Sequence, residues 1–140
     1  MSDIFDNESE FKSVLAINNY SDFDFSMKQN PNYKDILPIT GSNAIKRAVH
    51  NLITISRYDR VFNNKLSVGI DDFIMDKNNP ITNAVIIEEI KSILDKHEPR
   101  IDNVEVETRS QNNHIRITIY FTIVNVQRED SVDIVFFRNR

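Results

Sequence analysis

The sequence predicts an α+β fold: two main helices packed on a small, mostly antiparallel three-stranded sheet, preceded by an extended acidic arm. Three observations predict it. Two stretches before Glu98 repeat apolar residues at three-and-four spacing, and the segment after Arg100 alternates apolar and polar residues. Residues 1–38 carry seven acidic and three basic side chains, which accounts for the whole net charge of −4. At 140 residues with a 40% apolar share, the chain has enough material for one real core. We divide it into an arm, residues 1–40, and a single α+β domain, residues 41–140.

The arm shows no sustained period but is studded with Phe5, Phe11, Tyr20, Phe23, Phe25 and Tyr33. Such aromatics either pack on the chain's own domain or anchor a partner. Gly41 and Ser42 open the first helix, with Ser42 placed to cap it, and Ile45, Ala48, Val49, Leu52 and Ile53 form its core face. Lys46, Arg47, His50 and Asn51 take the opposite side, so His50 reads as solvated. A brief helix is expected over Val68 to Met75, with Asp71 and Asp72 as surface or capping charges.

Pro80-Ile81-Thr82 starts the second helix, with Thr82 as its expected cap and Ile86, Ile90, Ile93, Leu94 and His97 as its buried stripe. Pro99 stops it, because the residue before a proline is pushed out of helical geometry. Val104, Val106 and Thr108 then alternate with Glu105 and Glu107. After a polar turn, Ile115, Ile117, Ile119, Phe121 and Ile123 alternate with Arg116, Thr118, Tyr120 and Thr122, which predicts a hairpin with one wet face. Asn125 to Asp130 reads as a second turn. Ser131 to Phe137 reads as a last strand with apolar residues on both faces, which implies cover on both sides.

Little catalytic chemistry is present. With no cysteine there is neither a disulfide nor a thiolate metal site, which suits a reducing cytoplasm. His50, His97 and His114 lack metal-ligand spacing, Gly41 and Gly69 stand alone where a phosphate loop needs several glycines, and no cofactor is expected. No Lys/Arg cluster marks a nucleic-acid footprint. No apolar run is long enough to span a membrane. Glu98 is the carboxylate with the most distinctive setting, but Arg100 beside it disfavours a role as proton donor.

Glu98-Pro99-Arg100-Ile101-Asp102, followed by Val104-x-Val106, resembles the Glu-Pro-Arg hallmark of the baseplate wedge, sheath-initiator family of contractile bacteriophage tails. That family is related to the type VI secretion baseplate component once called lysozyme-like. Arg60-x-Phe62, Pro80-Ile81-Thr82, Ile45 to Ile55 and Tyr20-Ser21-Asp22 resemble further family features, whereas Val61, Leu66 and Ser67 depart from its pattern. The resemblance implies a sheath-linking-domain-like fold in a structural protein of the virion tail, six copies per assembly, put together in the host cytoplasm. It implies that Glu98, Pro99 and Arg100 face the wedge core bundle, and that tail sheath strands complete the sheet. Val132, Ile134 and Phe136 are the residues expected to take part in that strand addition, although either sheet edge is available. The alternatives are a peptidoglycan-cleaving lysozyme-like enzyme and a type VI secretion baseplate component.

Overall fold

A computed structural model describes residues 20–23, 27–32, 34–56, 67–70, 73, 79–111 and 114–137. The expectations for Phe5, Phe11, Phe25, Tyr33, Arg60, Phe62, Asp71, Asp72 and Met75 lie outside the described residues. Of the brief helix expected over Val68 to Met75, Ile70 and Phe73 are helical.

In chain order the elements are β1 (Ser21–Phe23), β2 (Pro38–Thr40), α1 (Ser42–Thr54), α2 (Pro80–His97), β3 (Ile101–Ser110), β4 (His114–Ile123) and β5 (Arg128–Phe137). This is the expected α+β architecture, with two main helices among the described residues and an antiparallel sheet in the order β3-β4-β5. Strands β1 and β2 make a separate two-stranded antiparallel sheet, with Asp22 opposite Ile39.

Both helix caps differ from expectation. Gly41 is the N-cap of α1, at φ 69° and ψ −143°, and no side chain caps the helix. That backbone region is open essentially to glycine alone, so the chain enters α1 through Gly41 and Ser42 becomes the first helical residue. In α2, Asn79 Oδ1 accepts from the Ile81 amide at 3.1 Å and Pro80 occupies the first turn, where its missing N–H leaves nothing unsatisfied. The cap is therefore Asn79, three residues before Thr82.

The core lies between α2, α1 and the inner face of the sheet. Strand β4 is central, and its Ile115, Ile117, Ile119, Phe121 and Ile123 are all buried while Arg116 and Tyr120 are exposed. Cross-strand neighbours extend this face, with Ile119 between Val106 and Val132 and Ile117 between Thr108 and Ile134. From the helices, Ile45, Val49, Ile53, Ile86, Ile90 and Leu94 fill the other side. Ser67, at one of the departures from the family pattern, is buried; its hydroxyl donates to the Ile55 carbonyl at 2.5 Å and accepts from the Gly69 amide at 3.0 Å. The residue thus ties its segment to the end of α1.

Strand β5 begins at Arg128, three residues earlier than expected, after a turn in which the Gln127 amide donates to Ile123 O at 2.8 Å. Its two apolar faces have different fates. Val132, Ile134 and Phe136 share the inner face, whereas Val135 and Phe137 on the outer face are 37% and 67% exposed. The described residues do not supply the expected second cover. His50 also differs from its reading as solvated: it is half-buried, and among the described residues its buried Nδ1 meets no hydrogen-bond partner.

Candidate functional site

The corner between α2 and β3 is built by Pro99. Its ring forces Glu98 out of helical geometry, to φ −126° and ψ 76°, while the Glu98 amide still closes the helix onto Leu94 O at 2.8 Å. The Ile101 amide donates back to Glu98 O at 3.3 Å, and the Val124 amide donates to Arg100 O at 3.0 Å, which ties the corner to the β4–β5 turn. Backbone bonds thus hold Arg100 on two sides.

The two side chains of the corner face each other. Arg100 Nε donates to Glu98 Oε1 at 2.5 Å and Nη2 to Oε2 at 2.6 Å, a fork that matches carboxylate geometry. Glu98 is only 3% exposed, and a buried charge of this kind persists only when paired. Arg100 keeps 29% side-chain exposure, so the pair is reachable from outside. The hydrogen bond to Glu98 raises the Arg100 pKa, partial burial opposes the rise, and the fields of Glu98, Tyr20 and Asp22 add to it. Arg100 is a permanent cation.

Tyr20 completes the cluster. Its ring lies 5.3 Å from the guanidinium carbon of Arg100, within cation–π range. Its hydroxyl accepts from Asn125 Nδ2 in the β4–β5 turn, and its carbonyl accepts from the Gly41 amide at 2.9 Å. Residues from three distant parts of the chain therefore meet at this corner. Among the arm aromatics and the Tyr20-Ser21-Asp22 match, the sequence held a signal for Tyr20; Asn125 had none beyond its place in a polar turn.

The second candidate, β5, lies at an edge of the sheet. Val132, Ile134 and Phe136 point inward with Ile119, Ile117 and Ile115 opposite them, so their side chains serve the chain's own core. What β5 turns outward is its edge backbone, together with Val135 and Phe137; the Phe137 ring centroid lies 6.1 Å from that of His114. These two residues were legible only as half of a two-faced run. The opposite edge, β3, is interrupted by a register shift between Asp102 and Glu105, with Asn103 at φ 50°. Lys46 of α1 bridges Asp130 of β5 at 2.6 Å, beside a concavity of about 430 Å³ lined by Asn43, Arg47, His50 and Val132 among others.

Among the described residues, no three His, Cys, Asp or Glu side chains lie together as a metal site would need. No described helix is long and apolar enough to cross a membrane. Glu98 has both oxygens occupied by Arg100, so neither is free to protonate a leaving group.

Residues 40–128, a span that includes the corner and β3 and β4 whole, match the family described as baseplate wedge protein gp25. The chain belongs to this family of contractile-tail baseplate wedge proteins. Baseplate wedge protein gp25 of Enterobacteria phage T4 is 31% identical over 87 residues, covering 62% of this chain and 65% of the phage protein. The chain thus spans just under two thirds of that curated relative. Two solved structures share the fold. One is described as a tail lysozyme from Geobacter sulfurreducens, with a TM-score of 0.62 at 20% identity, covering 71% of this chain and 92% of that one. The other belongs to the six-fold symmetrised baseplate of the anti-feeding prophage, with a TM-score of 0.57 at 17% identity and 92% coverage of both chains.

Proposed function

We propose that this gp25-family chain is a structural wedge subunit of a contractile tail that works through two surfaces. The Glu98-Pro99-Arg100 corner docks on the core bundle of the wedge, and the β5 edge accepts strands from the first ring of tail sheath, so that the subunit initiates sheath polymerisation. Residues 1–40 serve as an arm and 41–140 as the working domain. Six copies stand in each baseplate, assembled in the host cytoplasm and carried in the virion tail.

The observation that carries this reading is the pairing of a rigid, reachable corner with a sheet edge that no described strand covers, in one gp25-family chain. An unpaired edge offers amides and carbonyls in a row, and strand addition satisfies them while side-chain pockets give selectivity. Val135 and Phe137, exposed on the outer face of that edge strand, give the added strand apolar surface to rest on. The six-fold symmetry in the description of the anti-feeding prophage baseplate is in keeping with the copy number.

Co-expression with the sheath and wedge-bundle subunits tests the reading. Arg100→Lys keeps a cation for Glu98 but loses the planar fork. It is expected to fold and to fail at the wedge bundle; a variant that assembles as wild type does would remove the corner from the docking surface. The lysozyme-like reading draws on the description of the Geobacter structure. With Glu98 locked to Arg100, purified protein is expected to leave a cell-wall suspension turbid. Lysis abolished by Glu98→Gln would reverse the assignment. A place in a type VI secretion baseplate involves the same two surfaces and differs in the genes found alongside, those of a phage tail or of a secretion apparatus.

A further inference from the structure

We propose that Tyr20 is a positioning residue of the corner. It holds the Arg100 guanidinium in register with Glu98 and makes the arm a physical part of the docking surface. The inference rests on the docking role proposed for the corner but is carried by different contacts. Glu98 holds Arg100 through one edge of the guanidinium, with Nε and Nη2 in a plane. An in-plane fork leaves the group free to tilt about the axis of those bonds, and an aromatic ring set against its face removes that freedom. Tyr20 supplies the ring, at 5.3 Å. Tyr20 is itself held at both ends, by the Asn125 side chain at its hydroxyl and by the Gly41 amide at its backbone carbonyl.

The fixation links elements that sequence keeps apart. Tyr20 stands immediately before β1, whose partner β2 leads through Gly41 into α1, while Asn125 belongs to the turn whose neighbour Val124 bonds the Arg100 carbonyl. A shift of the arm is therefore felt at Arg100, and a shift of Arg100 is felt by the arm. Asp22, two residues further on in β1, adds its field to the same cation. The corner presents a compensated pair under an aromatic lid, so it favours partner groups that bond without a net charge of their own, such as main-chain carbonyls, over a competing carboxylate.

The test uses the full chain alone and reads the Arg100 Nε–H by NMR. Tyr20→Leu keeps apolar volume against the core but removes the ring, and is expected to speed solvent exchange of that proton by about tenfold, whereas Tyr20→Phe stays within about twofold of wild type. Unchanged exchange in Tyr20→Leu would overturn the proposal, and so would equal acceleration in both variants, because the ring face would then contribute nothing. Arg100→Gln reads the same contact from the other side, and serves should Tyr20→Leu not fold. It is expected to shift the Tyr20 ring resonances, and unshifted resonances overturn the proposal independently. None of these measurements involves a partner, so failure of the wedge-docking experiment leaves them standing, and their failure leaves wedge docking to be judged by Arg100→Lys.

Discussion

At the scale of single residues, the weightiest consequence lies in Glu98. Removing Arg100 outright leaves a carboxylate that is 3% exposed without its counter-ion. Arg100→Ala is therefore expected to cost about 2 to 4 kcal/mol, measured by urea unfolding, where a surface ion pair would cost under about 1 kcal/mol. A loss near zero would show that water reaches Glu98 in the folded chain. His50 yields a prediction in pH. Burial lowers its pKa below the ordinary 6.5 and the Arg47 charge lowers it further, while a hydrogen bond with the Asn51 side chain pulls the other way. Lys46, itself paired with Asp130, is the other charged group lining the same concavity. The unfolded chain then takes up the proton first. The stability His50 contributes is complete above its unfolded pKa and is lost as pH falls through 6.5 towards the lower folded value. Urea midpoints at pH 7.5 and 5.5 should differ less in His50→Gln than in wild type.

At the scale of elements, periodicity carried the reading of the strands and failed at the helix ends. Strand β4 was legible because its residues alternate between core and solvent, so a period of two is written directly into the sequence. The caps were not, because a cap depends on where the chain turns. A hydroxyl at Ser42 or Thr82 looks suitable, yet the turn into α1 needs the positive φ of Gly41 and the turn into α2 falls before Pro80. Asn79→Ala should cost about 1 kcal/mol in thermal or urea unfolding, and Thr82→Val should not reproduce that loss through the cap. The corner shows the same division. Pro99 announces a helix stop from sequence alone, but whether Glu98 turns towards Arg100 depends on the path of the backbone through Pro99. Tyr20 reaches Asn125 across 105 residues, and only the folded chain brings them together.

At the scale of the whole molecule, the side chains named for strand addition and the surface available for it separate. Val132, Ile134 and Phe136 pack into the chain's own core, and Val135 and Phe137 are the apolar side chains that β5 exposes. Phe137→Lys should change unfolding free energy by less than about 0.5 kcal/mol, while Ile134→Ala should cost about 2 to 4 kcal/mol. If β5 is the accepting strand, co-assembly with sheath fails in Phe137→Lys although its melting curve is unchanged; intact assembly would move strand addition elsewhere. The interrupted register of β3 gives this arrangement a direction. A bulge blunts an edge for pairing, so of the two outer strands only β5 presents ten residues paired with β4 without interruption. Two chains that met β5 to β5 would keep only their β3 edges outward, where the register shift between Asp102 and Glu105 interrupts the pairing. A strand added at β5 would lie on the side of the sheet away from β3.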